Sequence, residues 1–275
     1  MRIPVTTLND GYDFPLLGLG TYKLTGDEVE PIVRTAIELG YRHIDTAALY
    51  DNEVEVGKAI NAAIKAGDVT REELFVTTKL WNDDQERVAE AYQESLERLD
   101  LEFIDLYLVH WPWPQHGTYV KAFEQIAELQ GVGRLQSVGV ANFYPEVLDE
   151  IIQATGISPV LNQVELHAGF TQPELRAYHD EHDIVTEAWA PLARGSNFDD
   201  PAIQAVAEKH GATAAQVSLA YLMQLGCSVV PKTANPKRLE ENLGAVGITL
   251  DSEDVAALDG VAGGRLSGDP LTFPG

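Results

Sequence analysis

Several polar residues close otherwise apolar runs, and a buried charge in such a place needs a partner. Asp45 stands near the end of Tyr41–Thr46, Lys79 ends Leu74–Lys79, and His110 ends Ile104–His110. Tyr50 follows shortly after Asp45. Asp45 and Lys79 come from consecutive runs and can neutralise each other. A carboxylate, an ammonium, a phenol and an imidazole are also the groups that hold and move protons. Singly, each has an ordinary reading. Asp45 suits a helix cap, Lys79 a side chain snorkelling to water, and His110 a hydrogen-bonded core position. Tyr50 alone means little. Their placement together is what favours chemistry.

The elements that must position them are legible as alternating patterns. Leu135–Ala141, Val160–Leu166, Ile184–Ala190 and Cys227–Lys232 continue the series of short apolar runs that Leu17–Thr21 begins. Runs of this kind, bounded by turn residues, read as buried strands. Between them lie helical periodicities: Glu28–Leu39, closed by Gly40; Glu53, Val56, Gly57, Ile60 and Ile64; Val88, Tyr92, Leu96 and Leu99; and Val120–Gln130, closed by Gly131 or Gly133. Eight strands, each followed by a helix and uninterrupted by a linker, predict an α/β fold of the (β/α)8 TIM-barrel type, one domain over residues 1–275. A doubly wound sheet would place a glycine-rich turn after its first strand, and Gly18-Leu19-Gly20-Thr21 supplies only G-x-G. Ahead of the barrel, Val5–Leu8, Asn9-Asp10-Gly11 and Phe14–Leu16 predict a β-hairpin capping the barrel floor. In such a barrel, active sites lie at the C-terminal ends of the strands. Asp45, Lys79 and His110 fall there, as do Asn142, Gln163, Glu165, Trp189 and Lys232.

Composition narrows the partners. The 275 residues carry 43 acidic and 19 basic side chains, a formal net charge of −24. Such a field repels nucleic acid and anionic membranes. It also repels any anionic ligand that lacks a local positive site. Lys232, Lys237 and Arg238 form one, around the helix start Asn235-Pro236. Positive charge at a helix N-terminus opposes the dipole unless an anion sits there. The single cysteine, Cys227, permits no internal disulfide and reads as a small core residue. The start shows no secretory signal pattern, and no apolar run approaches the ~20 residues of a membrane span. A cytoplasmic protein is expected. Histidines at metal-ligand spacing are absent, so no metal is expected, and no carboxylate pair suggests a hydrolase.

The strings Gly40-Tyr41-Arg42-His43-Ile44-Asp45-Thr46-Ala47, Tyr50-Asp51-Asn52-Glu53, Val76-Thr77-Thr78-Lys79-Leu80-Trp81, Asp105-Leu106-Tyr107-Leu108-Val109-His110-Trp111-Pro112, Val138-Gly139-Val140-Ala141-Asn142-Phe143, Asn162-Gln163-Val164-Glu165 and Pro231-Lys232-Thr233 occur in this order. Together they resemble the aldo-keto reductases from about residue 6 to about residue 270, and most closely the bacterial 2,5-diketo-D-gluconate and methylglyoxal reductase branch. The resemblance implies NADPH-dependent reduction of a small-molecule aldehyde or ketone, α-dicarbonyls and keto-sugars included. It implies Tyr50 as proton donor, Lys79 easing that transfer, Asp45 fixing Lys79, and His110 orienting the carbonyl. It assigns the cofactor to Thr21, Asn142, Gln163, Trp189, Leu192, Lys232, Thr233, Arg238, Glu241 and Asn242. Trp189 would stack on the nicotinamide, and Lys232, Thr233 and Arg238 would hold a 2′-phosphate. Ala141 departs from the serine usual at its position, which removes one hydrogen bond to the carboxamide. Tyr22, Trp81, His110 and Trp111 would line the substrate pocket, with Trp113 and Phe143. The short chain end implies an open, tolerant pocket, and the branch implies a monomer. The competing reading is an NADPH-binding regulatory or sensor barrel with little turnover.

Overall fold

Strands buried along their whole length need cover on both faces. β5 (Phe75–Leu80) and β6 (Ile104–Val109) are buried at every position. The fold meets that need with a ring of parallel strands inside a ring of helices. It is seen in a computed structural model that describes residues 2–131, 133 and 135–273; Met1, Val132, Arg134, Pro274 and Gly275 lie outside the described residues. The strands are β3 (Leu19–Gly20), β4 (His43–Asp45), β5, β6, β7 (Leu135–Ala141), β8 (Leu161–Glu165), β9 (Val185–Trp189) and β10 (Ser228–Val229), paired in chain order and all parallel. Bridges Leu17↔Val229 and Gly20↔Lys232 close the last strand onto the first. Closure needs a bare backbone at Gly20, where a Cβ would lie 2.7 Å from the Val230 carbonyl oxygen.

The expected (β/α)8 barrel is therefore present, with all eight strands inside or within a residue of the apolar runs. Helices α1 (Val29–Leu39), α2 (Glu53–Ala66), α3 (Val88–Leu99), α4 (Tyr119–Gln130), α5 (Pro145–Thr155) and α6 (Pro173–Glu181) follow the first six strands. α1 buries Val29, Ile32, Val33, Ala36 and Ile37, one stripe at helical spacing, and ends on Gly40 at φ 102°. Two helices follow β9, α7 (Pro201–His210) and α8 (Ala214–Gln224); α9 (Pro236–Leu243) and α10 (Ser252–Asp259) follow β10.

The hairpin also forms, as β1 (Val5–Thr7) and β2 (Asp13–Pro15). Asn9 Nδ2 donates to the carbonyls of Pro159 and Asp183, just ahead of β8 and β9, and Ser137 Oγ donates to Asp10. Phe14 and Leu8 thereby fill the barrel floor with Phe75, Leu106, Leu108, Val160 and Leu161. Above this apolar layer the interior turns polar.

Candidate active site

The strand register sets the polar layer. Gly20 pairs with Asp45, and Asp45 with Thr77, while Lys79 lies two residues further along β5. The Lys79 Nζ sits 2.9 and 2.7 Å from the two Asp45 carboxylate oxygens and 2.8 Å from the Thr46 carbonyl. Both side chains are buried. A buried ion pair survives only with good geometry and further hydrogen bonds, and here every ammonium hydrogen has an acceptor.

After β4 the chain makes a 3-10 turn over Ala48–Tyr50 and leaves it through Asp51 in the left-handed conformation. That turn returns the Tyr50 hydroxyl to 3.4 Å from Lys79 Nζ. Asn52 pins the turn: it accepts from Thr46 Oγ1 at 2.7 Å and donates to the carbonyls of Thr21 and Leu24. His110 completes the group, its ring 5.8 Å from that of Tyr50 and its Nδ1 buried without a hydrogen-bond partner among the described residues.

The environment sets protonation. Burial works against the Lys79 ammonium, but Asp45 and Tyr50 outweigh it and hold its pKa above the usual lysine value. Burial pushes the Tyr50 phenol up to about 12, against the downward pull of Lys79. Lys79, expected to ease release of that proton, thus moderates a rise that it does not overcome. Burial, then Lys79, keeps His110 well below the ordinary histidine pKa, so its imidazole is neutral. The group can hold a proton on a phenol, offer a neutral imidazole beside it, and stabilise negative charge through the ammonium.

Two residues that the sequence reading passed over complete the layer. Glu187 on β9 and His43 on β4 are both fully buried. Gln163 Nε2 donates to Asp45 at 2.8 Å and to Glu187 at 2.6 Å. The signal was available, since Glu187 is a charge inside the apolar run Ile184–Ala190, as Asp45 is in its own.

The residues expected at a cofactor fall into three sets. Asn142, at φ 65°, donates to the His110 carbonyl and accepts from Trp189 Nε1 at 2.9 Å, so both its polar groups are engaged. Gln163 Oε1 has no partner among the described residues. Thr21 is fully buried, and its hydroxyl donates to the Asp45 carbonyl at 2.9 Å; it supports Asp45 rather than offering a free group. Beyond β9, Leu192 enters a strap in which Ala190, Ala193 and Arg194 all adopt positive φ. Lys232, Lys237 and Arg238 are exposed around the start of α9 and make no salt bridge with any described residue. Thr233 and Asn242 are buried beside them, and Glu241 is half-buried.

The pocket mouth is aromatic. Tyr22 lies against Tyr50 with ring centres 5.1 Å apart, and Trp81 meets His110 edge-on at 5.2 Å. Phe273 stacks on Trp111 at 4.0 Å and meets Trp81 at 6.4 Å. Phe273 thus lies against two of the tryptophans expected at the substrate. Buried Glu165 anchors this segment, accepting from the backbone N–H groups of Leu266 and Ser267, with His167 Nε2 3.2 Å from its carboxylate. Phe143 is corrected: it is fully buried and packs on Tyr119. Trp113 stacks on His116 within its own loop.

Against known proteins, the family model described as "Aldo/keto reductase family" matches residues 16–262. The chain is 45% identical over 276 residues to the methylglyoxal reductase DkgA of Salmonella typhimurium, covering 98% of each protein. It is 44% identical over 273 residues to an aldo-keto reductase of Mycolicibacterium smegmatis, again covering 98% of each. Among solved structures, a Gox0644 mutant in complex with NADPH superposes with a TM-score of 0.94 at 42% identity over 99% of each chain. A Bombyx mori aldo-keto reductase in complex with NADP gives 0.88 at 38% identity, over 94% of this chain and 92% of that one.

Proposed function

The chain belongs to the aldo/keto reductase family, and from that premise we propose that it is an NADPH-dependent reductase of aldehydes and ketones, acting on α-dicarbonyls such as methylglyoxal and on keto-sugars such as 2,5-diketo-D-gluconate. The observation that carries the reading is the Tyr50 hydroxyl 3.4 Å from a Lys79 ammonium that is itself locked on Asp45. The similarity to methylglyoxal reductases favours α-dicarbonyls among the carbonyl substrates.

The residues present fit the cofactor. Lys232, Lys237 and Arg238 lack anionic partners at a helix N-terminus, and a 2′-phosphate supplies one. The strap after β9, around Leu192, would hold the pyrophosphate. The unpaired Gln163 Oε1 can accept from the nicotinamide carboxamide, beside Asn142. Trp189 would stack on the nicotinamide, and Glu241 and Asn242 on α9 would contact the adenine. When bound, reduced NADPH supplies a hydride to the carbonyl carbon.

The chain's own residues do the rest. Trp81, Trp111, Tyr22 and Phe273 make a flat apolar mouth that excludes water from a small carbonyl compound. His110 and Tyr50 hydrogen-bond the carbonyl oxygen and orient it. As negative charge grows there, Tyr50 gives up its proton to that oxygen, and Lys79 stabilises the phenolate left behind. With its pKa about 12, the phenol stays protonated through neutral pH and is loaded for this step. Asp45 keeps Lys79 charged and fixed.

The test is absorbance of NADPH and of NADH with purified protein and a panel of methylglyoxal, phenylglyoxal, 2,5-diketo-D-gluconate and xylose. The reading expects consumption of NADPH in preference to NADH, fastest with a dicarbonyl. Binding of NADPH without consumption across the panel would replace it with the sensor-barrel reading.

A further inference from the structure

We propose that Glu187 is a positioning residue for the reduction, held as a neutral carboxylic acid beneath Asp45 and setting the alkaline limit of activity when it releases its proton; this rests on the reductase reading above. The register places it. Gln163, Glu187 and Ser228 are paired in one row across β8, β9 and β10, so their side chains share the barrel interior.

The hydrogen bonds around Glu187 accommodate a proton on it. Gln163 Nε2 has two hydrogens, spent on Asp45 Oδ2 at 2.8 Å and on Glu187 Oε1 at 2.6 Å. Glu187 Oε2 faces Ser228 Oγ at 3.1 Å and His43 Nδ1 at 3.5 Å. Ser228 has one hydrogen and two oxygens within reach of it, the Pro15 carbonyl at 3.0 Å and Glu187 Oε2 at 3.1 Å. His43 contacts Thr77 Oγ1 through Nε2, at 3.1 Å, and its buried Nδ1 has no other hydrogen-bond partner among the described residues. Ser228 Oγ can accept while it donates to Pro15, and His43 Nδ1 accepts in the tautomer whose Nε2–H donates to Thr77, so a proton on Glu187 Oε2 has an acceptor in reach.

Charge agrees with this accounting. The titratable groups facing Glu187 are His43 and Asp45 from β4 and Lys79 from β5; β8 and β10 present neutral Gln163 and Ser228. Asp45 and Lys79 already balance, so a second carboxylate would be a surplus anion in a dry interior. Burial, then Asp45, pushes Glu187 up to about 8, against Gln163, Lys79 and Ser228. Burial, then Lys79, holds His43 down to about 3, so it takes no proton from Glu187 at neutral pH. Once Glu187 ionises, it draws Gln163 Nε2 away from Asp45 and adds negative charge below Lys79. Both changes oppose formation of the Tyr50 phenolate.

Glu187→Gln tests this, because a carboxamide copies the neutral acid: its oxygen accepts from Gln163 and its N–H donates toward Ser228 and His43. The kcat and KM for NADPH and methylglyoxal would be measured against pH for both proteins. In the parent, kcat should fall roughly tenfold between pH 7 and pH 9 with KM for NADPH little changed; in Glu187→Gln that ratio should be about one. A variant that keeps the alkaline limb overturns the proposal. Two readouts do not need turnover, so failure of the reductase reading stays separable. The infrared carbonyl band of a protonated carboxyl, present in the parent at pH 7, should vanish in Glu187→Gln; no such band in the parent overturns the proposal. Thermal unfolding supplies the second. A carboxyl whose pKa is higher folded than unfolded contributes stability below its unfolded value, and loses it as pH rises through the folded value. The melting temperature of Glu187→Gln relative to the parent should therefore rise between pH 5 and pH 9, and a constant difference contradicts a proton on Glu187.

Discussion

Lys79 makes the clearest demand at the scale of single residues, because its ammonium has no route to water. Asp45 answers it with both carboxylate oxygens. Asp45→Asn leaves that charge buried beside a neutral amide. Breaking a buried pair on one side costs about 3–5 kcal/mol, so urea unfolding of Asp45→Asn should shift by that amount, and a shift below about 1 kcal/mol would mean that the pair is not held as seen. Asp45, Lys79 and His110 were legible because a polar residue closing an apolar run is conspicuous. Glu187 carried the same signal as a charge inside an apolar run, but it does not close that run and so drew no attention. Asn52 was hidden for another reason. It acts through two carbonyls and a hydroxyl that only the folded loop brings together. Phe143 misled because an aromatic just past a strand points either to the mouth or to the helices, and the letters do not say which.

Among the elements, α9 connects charge patterning to cofactor choice. Its N-cap Asn235 accepts from the backbone N–H of Lys237, and Pro236 opens the helix, as the sequence predicts. Three cations there are unfavourable for the helix alone and favourable with a phosphate. Arg238→Ala should raise KM for NADPH about 10- to 100-fold, the worth of a charge-assisted hydrogen bond, and leave KM for NADH nearly unchanged. Equal effects on both cofactors would remove the 2′-phosphate assignment. The floor hairpin was legible from Asp10-Gly11 between apolar runs. The stack of Phe273 on Trp111 was not, nor was the anchoring of Leu266 and Ser267 on Glu165 that precedes it, since such contacts leave no periodic trace.

For the whole molecule, alternation of strands and helices was enough to predict the barrel, because parallel strands buried on both faces have few ways to be covered. The second helix after β9 and the terminal α10 were not foreseen; they add cover to the barrel without altering the ring of strands. Net charge acts at this scale too. An excess of 24 negative charges repels itself most strongly in the compact state. Screening shortens from ~30 Å at 0.01 M salt to ~3 Å at 1 M. The unfolding temperature should therefore rise with sodium chloride over that range, whereas a flat or falling curve would show that surface pairs such as Arg87 with Glu94 outweigh the net repulsion. All of these features serve one event, the delivery of a proton from Tyr50 to a carbonyl oxygen. The most direct test is kcat for methylglyoxal with saturating NADPH in the parent and in Tyr50→Phe, with cofactor binding measured alongside. The expected result is a loss of about 10²–10⁴-fold in kcat with NADPH affinity retained. Turnover by Tyr50→Phe within about tenfold of the parent would show that another group delivers the proton, and the account of this site would be wrong at its centre.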